Sequence, residues 1–423
     1  MTALTSLRSR FAAVAGGLPR PFWVLWGGMF VNRAGGFVLP FMAIYLTQVR
    51  HLSMAQAGIV VALYGAGGAI AGPLGGYLAD RVGRRFTMLL ALGAGGSGMI
   101  GIAFLHRIEH IAPAMFGVAL LNEMYRPGMQ AAIADLVPPA ARVRAFGLLY
   151  WVINLGFSFG LAIGGVLANL SYRWLFIGDG VTTLLFGLLV ALGVPETRPA
   201  RAPLAPGERR ASAWSEMLAP YREGPFMAFL GLSFLFALFF MQGSTTFPLD
   251  LAAHGVGTAT YGVIIALNGV LIVFLQPWMG PVLTRFNRSH TLAASAALAG
   301  LGFGLNAVFH TPMLYALGVI VWTVGEIGVL PVANTVVADI APPQLRGRYQ
   351  GVYGLSFGLA VCVAPALGTI VLQHLGSVAL WLGCFAIGLV IAAGHVALEP
   401  TITRLRNARI QLATTTTEHR PRG

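Results

Sequence analysis

From Val378 to Leu398 the chain runs 21 residues without an aspartate, glutamate, lysine or arginine. At ~1.5 Å rise per residue, a helix of that length spans about 30 Å, the thickness of a bilayer's hydrocarbon core. The pattern recurs. Long apolar runs cover roughly residues 22–48, 54–78, 87–105, 113–136, 146–169 and 173–194, then 225–249, 259–283, 291–309, 313–338, 350–372 and 378–398. A chain that is 57% hydrophobic and only 10% charged has too few polar groups to cover a water-facing surface. Lipid is then the solvent, and runs of this length in lipid select the membrane-spanning helix. Prolines inside several runs, Pro127, Pro331 and Pro365 among them, fit this reading, because neighbouring helices re-satisfy the backbone groups they free.

Charge sets the orientation. The net charge is +13, and all 27 basic residues are arginine. With both termini on one side, 22 arginines fall on that side and three, Arg50, Arg107 and Arg173, on the other. Such asymmetry marks the cytoplasmic side, so the expectation is a multi-pass protein of the cell (plasma or inner) membrane with both termini cytoplasmic. The arginines sit in short loops between apolar runs, not in one patch, which argues against a nucleic-acid partner. Residues 195–224 form the one long internal loop, with five prolines and five arginines. They read as a cytoplasmic linker between a six-helix half, 1–194, and a second half, 225–400, followed by a cytoplasmic tail, 401–423. No cleavable leader is expected at the basic N-terminus. Cys362 and Cys384 lie inside apolar runs without metal or disulfide spacing, so no metal site is expected.

The halves repeat. At an offset of 204 residues Gly58 meets Gly262, Gly65 meets Gly269, Pro73 meets Pro277 and Gly76 meets Gly280. Arg84 then meets Arg288, Asp135 meets Asp339, Pro138–Pro139 meets Pro342–Pro343, Arg144 meets Arg348 and Gly147 meets Gly351. Two related six-helix halves are the organisation of an alternating-access transporter, with its site between them near the membrane midplane.

The hairpin "GGYLADRVGRR" (75–85) resembles the loop 2–3 signature of the major facilitator superfamily. With the twelve spans and the repeat, the resemblance extends over nearly the whole chain. It implies an all-α integral membrane fold, twelve transmembrane helices in two pseudo-symmetric six-helix halves. It also implies a gating latch made of Gly76, Asp80, Arg81, Gly83, Arg84 and Asp135. In that latch Asp80 would sit at the N-terminus of span 11, near Arg348 and Tyr349, where a carboxylate meets the positive end of the helix dipole. Arg84 would pair with Asp135. The second half departs from the signature, with Thr284 in place of the aspartate and Asn287 in place of the glycine, so an asymmetric latch is expected.

Four charges lie in the middle of the spans: Arg33 in span 1, Glu123 and Arg126 in span 4, and Glu326 in span 10. Each costs a few kcal/mol at the bilayer centre unless paired or hydrated. The resemblance places spans 1, 4, 7 and 10 around the central cavity, so these four become the proton-coupling candidates. Glu123 and Arg126, three residues apart, share a helix face. Glu326 has no opposite charge in its own helix, and either glutamate could carry the proton. Arg33 is expected to pair across spans with one of them. Asp179, in span 6, is expected to be a hydrogen-bonded structural acid. Weaker cavity candidates are Asn32, Phe37, Gln130, Asn154, Gln242, Asn268 and Asn334, polar or aromatic residues at helical spacing within the spans.

Span 5 carries Gly156, Gly160, Gly164 and Gly165, which match the glycines of the antiporter signature of drug exporters, with Leu161 where that signature has proline. The small-residue spacing would allow close helix packing. The chain resembles the twelve-span drug:proton antiporter group more than sugar, phosphate or peptide carriers. That resemblance implies proton-coupled export of lipophilic or cationic small molecules, a proton gradient as energy source, no cofactor, and function as a monomer among membrane lipids. Proton-coupled uptake of a small nutrient and lipid flipping remain alternatives. No H-E-x-x-H, G-x-S-x-G or P-loop motif occurs, so no catalytic residues are assigned and an enzyme is not expected.

Overall fold

The structure, a computed structural model, describes residues 16–36, 38, 41–42, 45–199 and 213–418. The first half comprises α1 (Arg20–Ala34), α2 (Met54–Arg81), α3 (Arg84–Ile102), α4 (Ile108–Leu136), α5 (Arg142–Leu170) and α6 (Tyr172–Gly193). The second begins with α7 (Gly224–Phe240), which breaks through a 3-10 turn, Met241–Gly243, and resumes at Phe247–Ala253. It continues with α8 (Thr258–Leu283), α9 (Arg288–Gly304) and α10 (Pro312–Ile340). The last helical stretch, Arg346–Glu418, turns at Gly376, whose φ of +85° divides it into α11 (346–375) and α12 (377–418). The helix of α12 therefore runs well beyond Leu398, where the apolar run ends.

Among the described residues eight stretches are long and apolar enough to cross a membrane by length and composition alone, and one of these, Pro343–Arg409, holds both α11 and α12. The helices outside that set are α1 and α9, with 15 and 17 residues, and α4, which carries Glu109, Glu123 and Arg126. Together they give the twelve-helix arrangement.

Local chemistry starts and stops these helices. Ser53 and Gln56 form a reciprocal capping box at α2, with Ser53 Oγ accepting from the Gln56 amide at 3.2 Å and Gln56 Oε1 from the Ser53 amide at 3.0 Å. Gly83 takes φ +139° between α2 and α3, a backbone conformation that L side chains rarely adopt. At the repeat-related position Asn287 caps α9, its Oδ1 2.9 Å from the Ser289 amide.

In the first half α2 and α3 pack on α4, α3 on α6, and α1 on α5 and α6; in the second α9 packs on α10 and α12, and α7 on α11 and α12. Each half has its own apolar core, one centred on Phe22, Met88, Tyr125 and Phe186, the other on Phe236, Phe303, Trp322 and Trp381. Large apolar side chains such as Leu192, Val263 and Phe274 face outward, as expected of surfaces that meet lipid. The halves meet through α2 against α11 and α5 against α8 and α10.

Candidate transport site between the halves

The contact between halves is tightest at the arginine-rich end and loosens away from it. Gly65, Ala69, Gly72 and Gly76 share one face of α2. A Cβ placed on Gly76 would lie 2.2 Å from the Gly347 carbonyl oxygen, and one on Gly72 2.8 Å from that of Gly351. Further along, a Cβ on Gly358 would lie 3.6 Å from Ala69, and one on Gly65 would meet nothing within 4 Å. The repeat-related pair behaves alike but more loosely. Gly280 would bring a Cβ to 3.2 Å from Arg144, Gly147 to 3.0 Å from the Gln276 side chain, and Gly269 to nothing within 4 Å. The two crossings form a wedge closed at the basic end.

Charged side chains close the same end. Asp80 accepts from the Gly347 and Arg348 amides, each at 2.9 Å, at the first turn of α11. Arg84 is fully buried, 3.0 Å from Asp80 and 3.3 Å from Asp135, and donates to the Pro343 carbonyl of the other half. Arg346 reaches Asp135 across the interface at 2.5 Å. The repeat-related cluster is present too: Asp339 binds Arg288 of its own half and Arg142 of the other. Arg142 and Arg346 are related by the 204-residue offset, so their partnership was readable in the repeat. Both halves thus carry an ion cluster, while Asp80 has no matching acid in the second half, where its counterpart is Thr284. Arg81 is exposed and bonds Tyr77. Glu196 was not singled out, yet it braces the hairpin. Its two carboxylate oxygens accept from the Arg84 and Arg85 amides at 2.9 and 3.1 Å, against Gly83, where a Cβ would collide with it.

Deeper, two polar groups occupy the region between the halves. In the second half Glu326 is 2% exposed and has no ion pair among the described residues. Its Oε2 accepts from Asn268 at 2.7 Å, and Asn268 also donates to Thr323 at 2.9 Å. Its Oε1 accepts from the hydroxyl of Tyr150, which reaches over from α5 of the first half. Trp151 adds a neighbouring link, its indole N–H donating to the Val273 carbonyl at 2.8 Å. Gln130 donates to Asn334 at 3.1 Å, also across the interface.

In the first half Glu123 and Arg126 form a 2.6 Å ion pair with side chains 23% and 44% exposed. Arg33 pairs with neither glutamate, which corrects the expectation. It donates instead to the hydroxyl of Tyr125, two residues from Glu123 on α4, at 3.0 Å. Tyr125 in turn donates to Asn32 at 3.2 Å, and Asn32 to Thr183 at 3.0 Å. Asp179 is buried beside this chain and accepts from the Val38 amide at 3.4 Å. Asn154 bonds back to the Tyr150 carbonyl of its own helix at 2.9 Å. Gln242 does not face the interface. It is 4% exposed, and its amide donates at 3.0 Å to the Leu238 and Ala364 carbonyls, tying the break in α7 to α11. Phe37 lies outside the described residues.

The small-residue face of α5 packs on α1 at the level of Arg33. A Cβ on Gly156 would fall 2.6 Å from Arg33 Cβ, and one on Gly160 2.9 Å from the Arg33 carbonyl oxygen. Gly164 is buried on the same helix; the surroundings of Gly165 lie outside the described residues.

A twelve-helix wedge with charged clusters at one end and isolated polar groups at mid-depth is the architecture of a secondary transporter. The sequence matches the family model of the Major Facilitator Superfamily over residues 25–254 and 244–406. The chain belongs to that superfamily. It is 27% identical over 365 residues to the uncharacterised MFS-type transporter YqjV of Bacillus subtilis (strain 168), covering 85% of this chain and 88% of that one. It is 25% identical over 370 residues to a Na(+), Li(+), K(+)/H(+) antiporter of Planococcus maritimus, covering 81% and 87%. Among solved structures, that of the human organic anion transporter MFSD10 (TETRAN) superposes with a TM-score of 0.72 at 17% identity, covering 89% of this chain and 99% of that one, which supports the fold. The protein is an integral membrane transporter and not an enzyme.

Proposed function

We propose that the protein is a proton-coupled antiporter that exports lipophilic or cationic small molecules by alternating access as a monomer, with Glu326 as the proton carrier. The observation that carries this reading is the position of Glu326. It is a buried carboxyl without an ion-pair partner among the described residues, and its bond to Tyr150 crosses between the halves. A carboxylate accepting from a hydroxyl makes a stronger bond than a neutral acid does. Protonation therefore weakens a contact that holds α5 to α10, and separation of those helices uncovers the carboxyl.

We read the basic end as cytoplasmic, with the 195–224 linker and the tail beyond 400 on that side of the cell membrane. The wedge then faces outward, the state in which an exporter releases substrate and takes up a proton. Asp80, Arg84, Asp135 and their partners act as the inner latch. When the latch opens, a cationic substrate entering from the cytoplasm displaces the proton from Glu326. The half-exposed Glu123–Arg126 pair offers such a substrate a carboxylate whose guanidinium partner can be displaced. The similarity to a cation/proton antiporter supports exchange of cationic cargo against protons.

The test uses the protein in liposomes with a trapped pH dye, an imposed proton gradient and a panel of lipophilic cations and neutral drugs. We expect substrate-dependent proton movement in the wild type and at least tenfold less in Glu326→Gln. Undiminished flux in that variant moves the proton to Glu123 or elsewhere. No flux with any compound in folded protein overturns export in favour of nutrient uptake or lipid transport.

A further inference from the structure

The internal repeat allows the two ends of the latch to be compared charge by charge, and they are not equally balanced. In the first half the buried guanidinium of Arg84 meets two carboxylates, Asp80 and Asp135. In the second half its counterpart Arg288 meets one, Asp339, which it shares with Arg142. The position matching Asp80 is Thr284. A third arginine, Arg406 of α12, enters the same neighbourhood. It has no ion pair among the described residues, and its Nε is buried without a hydrogen-bond partner among them. Among the described residues its one hydrogen bond is at the limit of distance, Nη2 to Asn407 Oδ1 at 3.5 Å.

Arg288, Asp339 and Arg406 line a small recess, open to solvent, among the start of α9, the end of α10 and residues 402–406 of α12. Its polar lining is Asn287, Arg288, Ser289, Asp339, Thr403 and Arg406. The first amides of α9 are already capped by Asn287, so they add little. The nearest further acid, Glu399, is half-buried on the rim, bonded to Asn287 and Thr403, each at 2.9 Å, and close enough to Arg406 to feel its charge. Three arginines, Arg142, Arg288 and Arg406, thus face two carboxylates, Asp339 and Glu399, where the first half sets Arg84, Arg346 and Arg348 against three, Asp80, Asp135 and Glu216. An excess of guanidinium over carboxylate in a partly buried recess favours an anion, and a phosphate offers acceptor oxygens to several donors at once. Beside the recess Phe286 is 62% exposed, an apolar neighbour for whatever carries the anion.

We infer that this recess binds a phosphate-bearing anion that supplies the negative charge the second half lacks. A phospholipid headgroup at the membrane boundary and a soluble phosphate share that chemistry. The site belongs to the scaffold behind the latch and is separate from the substrate path between the halves.

The test takes the full-length, delipidated protein in uncharged detergent at fixed ionic strength. Phosphatidylglycerol micelles and sodium phosphate are titrated separately, with unfolding temperature and bound mass as readouts. Wild type, Arg406→Ala and, as a control for general surface charge, Arg404→Ala are compared; Arg404 is exposed on the same helix. We expect saturable stabilisation of the wild type, at least tenfold weaker binding in R406A and unchanged binding in R404A. Stabilisation by phosphatidylglycerol alone identifies a lipid site, and equal stabilisation by sodium phosphate a soluble-anion site. Binding retained in R406A, binding lost equally in both variants, or no binding of either probe overturns the inference.

Discussion

Glu326 and Tyr150 make a bond that each half contributes to equally, one supplying the acid and the other the hydroxyl. The roles can be separated by substitution. Tyr150→Phe removes the donor and leaves the carboxyl, so substrate-coupled proton flux should persist, while the contact between halves weakens by about 1.5–3 kcal/mol, the range for hydrogen bonds to charged groups. Flux lost as fully as in Glu326→Gln would assign the proton path to the hydroxyl as well. Half of this site was legible in the sequence. A lone acid in an apolar span is conspicuous because burial without compensation is costly. Tyr150 was not conspicuous, since a tyrosine in such a span is ordinarily packing, and only the approach of α5 to α10 gives its hydroxyl a purpose. Gln242 shows the opposite error. A glutamine among phenylalanines reads as a cavity residue, yet here it satisfies backbone carbonyls where α7 breaks. Periodicity along one helix does not reveal which neighbour's backbone lacks a partner.

At the scale of elements, helix approach is set by what has no side chain. The α2–α11 crossing has glycine against glycine, whereas the α8–α5 crossing has Gly280 against Arg144 and Gln276 against Gly147. Gly76→Ala would press a methyl onto the Gly347 carbonyl, which cannot yield as a side chain does. Overpacking of this kind costs about 1–3 kcal/mol. We expect G76A to disfavour the closed basic end, read as faster hydrogen exchange at the start of α11, and G280A to change it little. Equal effects of the two would mean that the crossings are equally tight. Along α5 the prediction concerns stability. Gly156→Ala should lower the unfolding temperature, because its Cβ meets Arg33 at 2.6 Å, while Gly58→Ala, with nothing within 4 Å, should be neutral or slightly stabilising. A neutral G156A would remove close packing as the reason for the α5 glycines. The glycine spacing was visible in the sequence; the helix it packs against was not.

For the whole molecule, closure rests on two related ion clusters, one around Asp135 and one around Asp339. Removing one partner of a buried pair costs about 3–5 kcal/mol because the other charge stays buried. Asp135→Asn and Asp339→Asn should each speed hydrogen exchange in the loops 137–141 and 341–345, and the double variant should do so more than either. Exchange at wild-type rates in all three would mean that the clusters do not hold the end shut. The first cluster was announced by the hairpin motif. The second became readable only once Arg142 and Arg346 were seen as partners under the same offset, because no local signature marks them.

The hydrogen bond between Gln130 and Asn334 differs in kind from either cluster. Its two residues are 204 positions apart, each the counterpart of the other, so their contact straddles the axis that relates the halves. Off that axis each position has a counterpart, and the two can differ: Asp80 corresponds to Thr284 in the second half, and Gly72 to Gln276. On the axis there is a single copy. Two equivalent amides there could bond reciprocally, each donating one N–H and accepting another, but Asn334 gives its own N–H to the Leu330 carbonyl and only Gln130 donates across, so the halves differ at the contact itself and no second copy stands behind it.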